Sequence, residues 1–567
     1  MLAQIELRSR TIGLILLGLA MAAGAVLLTW LLHNAPYVMD EWDLMLRAQG
    51  GSATQIFQPW NGHLLAVGLL LAHISILLVG SSYSLLAALD IGGVLACSAL
   101  VYVFARRRIG PILALAPAMV PLFFSGTSAF YGTGIQFTPL MGINGIYSLD
   151  FGLAALILLE EQQRRADIAA CAMLALSLAS FSYGLAFAVG TGVAVALTAQ
   201  RWSRAYVVAV PLGLYGLWRI WASGHGGADP GSITPEHILL LPLYLSDSLS
   251  AVSAGFFGLS QVVGRGPTIQ IASQSQAFSA LSFPLFLVVV EVTAILCVAR
   301  ALGRRGLTRA SLWPSLATLL AMWSSQALVM DPIARMPGDP RYLFAGAVMV
   351  AVVASELARG VKFTRFAIGL ILAIAALGAV ANLPRFREGK AANDQVLGVS
   401  QAAGAMIELA GDNADPSFVP AANLPEVSGT MWIGAGEFQK FARQVGPLAS
   451  MPIATLQAEG DELRTAADRV LVGVLDLRLT PAARPGRGPC VRVRPGGQGE
   501  LSPGTFILRS PRSTPVWLGR FGDAPAASIG EVPANGYSRL TIPSDRLAGV
   551  PWLLGNKGSA ALAVCRP

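Results

Sequence analysis

The run TIGLILLGLAMAAGAVLLTWLLH, residues 11–33, follows Arg8 and Arg10 and carries no formal charge. Its apolar stretch of about 20 residues is enough to cross a hydrocarbon core of ~30 Å as a helix. A secretory signal has a shorter apolar region, about 7–15 residues, so this run reads as a retained first span. Further apolar segments of spanning length recur at 83–104, 109–125, 143–160, 166–183, 185–199, 204–222, 281–302, 312–330, 342–359 and 366–383. Only 13% of residues are charged, against about 25% in soluble domains. The chain is therefore expected to be an α-helical polytopic membrane protein.

Charge sets the expected topology. Arg106–Arg107–Arg108, Arg164–Arg165, Arg201 with Arg204, Arg300 through Arg309 and Arg359 through Arg365 lie between apolar runs. The positive-inside rule places all of these connectors in the cytoplasm. They agree only if the chain crosses once between residue 34 and Arg106, although that interval holds two apolar stretches, 64–79 and 83–104. The shorter, 64–79, is assigned to the interface or a re-entrant turn. About eleven transmembrane helices follow, with the N-terminus cytoplasmic. Residues 34–82, 126–142, 223–280, 331–341 and everything after 384 then share the outer face. The net charge of +8 is accounted for largely by cytoplasmic connectors, and no basic stretch has interleaved aromatics, so no nucleic acid partner is expected.

Residues 384–567 differ in kind. Apolar runs stop, Pro and Gly become frequent, and a helical stretch is expected around 393–410. From 469 onward short strand-like runs alternate with turns: RVLVGVLDLRL, CVRVRP, TFILRS, PVWLGRF, SRLTIP and AALAVC. That spacing predicts a small β-sandwich in a C-terminal extracytoplasmic domain. Cys97, Cys171 and Cys297 fall in apolar spans and read as small buried hydrophobes. Cys490 and Cys565 flank one compact segment. In an oxidising compartment they would form a disulfide closing it.

The chemistry-bearing stretch is YVMDEWDLMLRAQGG, residues 37–51, directly after the first span. It carries Asp40, Glu41 and Asp43. Acids at such a place are commonly solvated loop residues. Here DEWDLML has alternating character, which suggests a segment lying on the membrane surface. Trp60, Asn61 and His63 follow within FQPWNGH, before a further amphipathic segment. So rich a loop exceeds what a connector needs.

This layout resembles the GT-C superfamily of membrane glycosyltransferases, which take sugar from a polyprenyl-phosphate donor. In that family a long outward loop with interfacial helices follows the first helix, and an acidic pair at its start holds the catalytic Asp. Asp40–Glu41 matches in position and residue type. The WNGH at 60–63 is similar to an Asn- and His-bearing patch in many bacterial members. Gly62 stands where a carboxylate is often found, so a divalent metal (Mg2+ or Mn2+) stays an open question. The resemblance covers the general plan of residues 1–383, as a transmembrane module, with 384–567 as a soluble domain such as several members carry. It implies an inverting transferase in the cell (inner) membrane. Such an enzyme moves sugar from a polyprenyl-phosphate-linked donor to an extracytoplasmic glycan or lipid acceptor.

The physical logic agrees. A carboxylate near a low-dielectric boundary has its pKa raised toward working pH, which suits a base taking the proton of an acceptor hydroxyl. Asp40 is assigned that role, with Glu41 or His63 orienting the acceptor or tuning Asp40. Arg341, in ARMPGDPRYLFAGAV beside Tyr342, is the cation expected for the donor phosphate; the alternative is a side chain snorkelling at a helix end. An Arg–Tyr pair before a late span also resembles GT-C members. Arg335 and Asp339 are weaker candidates.

Asp90, Asp150 and Glu291 fall within spans, the first two in the outer halves of their helices. Such acids face a bundle interior or cavity, where they could line the donor groove, pair, or form a proton path. Glu356 reads as an end-of-helix partner of Arg359. Trp517, Phe521, Tyr537 and Trp552 could stack on sugars, although aromatics at strand spacing are more often core. The competing functional class is a secondary transporter or a lipid-linked glycan flippase or polymerase. A transporter would use the intramembrane acids as coupling groups, but no paired, interrupted halves are visible.

Overall fold

The computed structural model describes residues 2–35, 37–124, 139–226, 233–259, 292–294, 296–297, 311–330, 337, 340–424, 431–446, 450–483, 488–545, 547 and 549–567. The chain divides into two compact units. Unit 1 comprises 1–35, 47–75 and 84–393; unit 2 comprises 36–46, 76–83 and 394–567.

Unit 1 is helical. In chain order its helices are α1 (Leu2–Leu32), α2 (Asp40–Gly50), α3 (Ala53–Phe57), α4 (Ala66–Val79), α5 (Ser84–Ile109), α6 (Leu115–Ala118) and α7 (Val120–Phe123). Then come α8 (Pro139–Leu159), α9 (Arg164–Ser180), α10 (Tyr183–Ala196), α11 (Arg201–Arg204), α12 (Tyr206–Ala222), α13 (Pro235–Phe256), α14 (Leu312–Ala327), α15 (Pro340–Leu357) and α16 (Arg365–Ala410). α2 and α4 begin or end in unit 2, and α16 runs on into it. Among the described residues, six helices are long and apolar enough to cross a membrane. Exposed Leu19, Val26, Leu217, Ile220, Leu377 and Val380 give several of them the apolar exterior that lipid requires. The core between helices includes Leu31, Val101, Ile146, Leu174, Phe187 and Val348.

Several expected elements change form. The segment 109–125 is not one continuous helix: Pro111, Pro117 and Pro121 remove backbone donors, leaving α6 and α7. Ser98 Oγ in α5 donates to the Ala118 carbonyl at 2.7 Å, as backbone released at membrane depth requires. The run 223–280 is not all loop, because α13 occupies 22 residues of it. Thr234 caps that helix, its Oγ1 accepting from His237 N at 3.3 Å. Pro242 and Asp247 interrupt the apolar pattern and hid the helix. Its last carbonyls are covered by Asn382, whose Nδ2 donates to Gly255 O (3.1 Å) and Phe256 O (3.3 Å). The 64–79 stretch is α4, 14 residues and about 20 Å long. The segment expected at 281–302 lies almost wholly outside the described residues.

The basic connectors meet at one face of unit 1. Arg108, at the end of α5, pairs with Glu160 beyond α8 and with Glu356 in α15. Glu356 also accepts from Ser311 Oγ at 3.1 Å and lies 3.5 Å from Arg359, so it is an interhelical partner as well as the local one. Arg204 of α11 reaches Asp167 of α9 at 2.6 Å and the Leu159 carbonyl at 2.9 Å.

Among the described residues, unit 2 contains α17 (Pro420–Asn423), α18 (Ala435–Val445), α19 (Ile453–Ala458), α20 (Asp461–Val474) and nine strands. These are β1 (Thr480–Pro481), β2 (Cys490–Val493), β3 (Gln498–Leu501), β4 (Gly504–Arg509), β5 (Thr514–Gly519), β6 (Ala527–Val532), β7 (Tyr537–Ile542), β8 (Trp552–Asn556) and β9 (Leu562–Cys565). They form two antiparallel sheets, ordered β1-β7-β4-β9-β2 and β3-β8-β5-β6. Cys490 and Cys565 are register partners on β2 and β9 and are disulfide-bonded. RVLVGVL is helix, not strand. Buried Ala466, Ala467, Val470, Leu471 and Val474 fall at helical spacing, and the β-branched residues yield to that packing. The 393–410 helix is the end of α16, which continues through Pro384.

Candidate functional site

The acidic motif opens α2 within unit 2. DEWDLML is helical rather than alternating, with Trp42, Leu44, Met45 and Ala48 buried. The three acids separate. Glu41 is 1% exposed; Tyr83 donates its hydroxyl to both Glu41 oxygens, at 2.7 and 2.6 Å, and Val38 N donates to Oε2 at 3.3 Å. Asp40 and Asp43 are half-buried, with Asp40 on the first residue of the helix, where a negative charge is favoured.

Aromatics hold this turn in place. Tyr37 packs edge-on to Tyr83 at 4.5 Å, and Trp42 lies 5.8 Å from Phe438 of α18. Burial first, and the Glu41 charge second, push the Tyr37 hydroxyl well above the ordinary tyrosine range. It stays a neutral donor, to Ser81 O at 3.2 Å. Tyr37 and Tyr83 were not singled out in the sequence; the only signal is that both flank apolar spans.

Trp60, Asn61 and His63 belong to unit 1. Trp60 and His63 exchange backbone bonds of 3.0 and 2.8 Å, and Asn61 (φ 46°) and Gly62 (φ 77°) fill the two positions between them. This is the Asn-Gly turn that needs positive φ twice, which gives Gly62 a backbone role. Trp60 is buried and Asn61 exposed, and the His63 ring lies 4.6 Å from Phe181. The loop is tied to α12, with Trp218 Nε1 donating to Phe57 O at 2.8 Å.

Arg341 and Tyr342 begin α15, with Tyr342 half-buried. The Arg341 side chain, Arg335, Asp339 and Glu291 lie outside the described residues. Asp90 and Asp150 are 1% and 6% exposed in the interior of unit 1. Asp150 lies near the middle of α8, which begins four residues before its apolar run. Its carboxyl is hydrogen-bonded with Cys97, and Tyr147 lies within electrostatic reach of both acids.

Three or more His, Cys, Asp or Glu side chains able to hold a metal do not converge anywhere among the described residues. The fold combines helices, six of which among the described residues are long and apolar enough to cross a membrane, with a C-terminal region of two antiparallel sheets. Comparison with protein-family models, curated proteins and solved structures finds no match for the chain.

Proposed function

We propose that the chain is an inverting GT-C-type glycosyltransferase acting on a polyprenyl-phosphate-linked sugar and an extracytoplasmic glycan or lipid acceptor. The observation that carries this reading is the division of labour in the acidic pair. Glu41 is buried and held by Tyr83, while Asp40 keeps partial solvent access on the opening residue of α2. A fixed neighbour and a reachable carboxylate are what a general base needs. Asp40 takes the proton of the acceptor hydroxyl as that oxygen attacks the anomeric carbon, and the polyprenyl phosphate departs with the bonding pair. Arg341 is assigned to the departing phosphate and His63 to the acceptor, residue by residue from the sequence pattern.

The cell membrane, a cytoplasmic N-terminus, about eleven spans and an extracytoplasmic C-terminal domain belong to the same proposal. Two observations support it. Arg108, Arg204 and Arg359 gather at one face of unit 1, as cytoplasmic connectors would. The Cys490–Cys565 disulfide suits an oxidising compartment.

A second reading, an ion-coupled transporter or a lipid-linked glycan flippase or polymerase, is favoured by buried Asp90 and Asp150. Intramembrane acids commonly mark ion paths. Purified protein in nanodiscs, incubated with a panel of polyprenyl-phosphate sugars and glycan acceptors, separates the two. Transfer with inverted anomeric configuration supports the first; silence across the panel with ion-coupled uptake in proteoliposomes supports the second.

A further inference from the structure

Unit 2 holds a groove of about 570 Å³ between its helices and the outer face of the β3-β8-β5-β6 sheet. Its floor is Trp517 with the small residues Ala527 and Ser528, and its walls carry Asp415, Arg469 and Asp476. We propose that this groove binds a neutral saccharide, an activity separate from the transfer reaction.

Four features converge on that ligand. First, Trp517 is an aromatic that β5 turns away from the core. Its neighbours Val516 and Leu518 are fully buried and Trp552 is 0% exposed, whereas Trp517 is half-buried. Second, the β5–β6 pairing slips between Val516 and Trp517, with Gly530 at φ 119° opposite. A bulge of this kind re-aims a side chain.

Third, the polar groups are fixed before any ligand arrives. Ser417 donates to Asp415 Oδ1 from its backbone N at 2.9 Å and its Oγ at 2.7 Å. These bonds hold the Asp415 carboxyl below the usual range, so it is an ionised acceptor. Arg469 Nε donates to Ala526 O at 3.3 Å. Fourth, the charges are close to balanced: Asp476 is paired with Arg478 at 3.1 Å, Lys557 Nζ lies 5.8 Å from the Trp517 ring, and Asp415 and Arg469 supply one group of each sign, a set that the hydroxyls of a neutral ligand satisfy as donors and acceptors. The volume is within the ~300–1,000 Å³ of small-molecule sites and admits more than one sugar ring.

The test uses the full chain in lipid nanodiscs. An array of neutral gluco-, manno-, galacto- and N-acetylhexosamine oligosaccharides identifies a binder, and calorimetry measures it. Trp517→Ala should weaken binding at least tenfold and Asp415→Asn several-fold. If Trp517→Ala lowers the unfolding temperature, Asp415→Asn, on an exposed loop, decides the question. Absence of binding across the array, binding of anionic glycans or polyprenyl phosphate alone, or wild-type affinity in these variants overturns the proposal. Asp40→Asn should bind the oligosaccharide normally, so failure of the transfer reading leaves this result intact, and the reverse.

Discussion

Tyr83 holds Glu41 through its hydroxyl, 2.7 Å from Oε1 and 2.6 Å from Oε2, although 42 residues separate them. Hydrogen bonds to buried charged groups contribute about 1.5–3 kcal/mol. Tyr83→Phe should therefore lower unfolding stability by about that amount. It should also raise amide hydrogen exchange over residues 37–46, the segment that Tyr37, Trp42 and Phe438 pack together. Unchanged exchange there would show that Tyr83 does not secure the motif.

Arg108 and Glu356 are both 1% exposed at the side chain. Breaking a buried pair costs about 3–5 kcal/mol, here toward the lower end because Ser311 and Arg359 still reach Glu356. Arg108→Ala should destabilise the chain by that much, while Arg108→Met with Glu356→Leu should recover most of it. Thermal unfolding in nanodiscs measures both.

Asp468 carries a pH signature. Its carboxylate accepts N–H bonds from Arg520, Phe521 and Gly522 at 2.8, 2.8 and 3.0 Å. Burial nevertheless raises it from 3.8 to about 6, the backbone bonds and Arg520 opposing the rise. The folded state thus binds the proton more tightly than the unfolded state between those values. Stability from this group is greatest below pH 3.8 and falls as pH rises to about 6, by at most about 3 kcal/mol. Asp468→Asn should flatten that slope in pH-dependent unfolding, even though it loses an acceptor for one backbone N–H.

The Cys490–Cys565 bond spans a sequence separation of 75. Closing a loop of that length constrains the unfolded chain by about 4 kcal/mol. Reduction should lower the unfolding temperature of the β-sandwich, and Cys490→Ala should make the protein insensitive to reductant.

Helix class and the two-sheet end were legible because apolar length and strand spacing are local properties. The failures were also physical. Prolines at 111, 117 and 121 divided an apolar run that length alone reads as a span. Pro242 and Asp247 concealed α13, and the Val-rich 469–475 became helix because its buried positions lie on one helical face. In the acidic motif, the residue types were visible but not the split between Glu41 and Asp40, since Tyr83 reaches Glu41 from a distant part of the chain. Asn61–Gly62 had a turn signature that a functional reading passed over. The groove around Trp517 depends on a bulge, which no short sequence window displays.

The central claim is that Asp40 is the base for sugar transfer. The direct measurement is the single-turnover transfer rate of Asp40→Asn and Glu41→Gln beside wild type, in nanodiscs, with the donor that wild type accepts. The account predicts a loss for Asp40→Asn of about 10²–10⁴, the scale of a missing general base, with donor binding kept. Glu41→Gln should lose less. Wild-type transfer by Asp40→Asn, or a wild-type chain that transfers no polyprenyl-phosphate sugar at all, would contradict it.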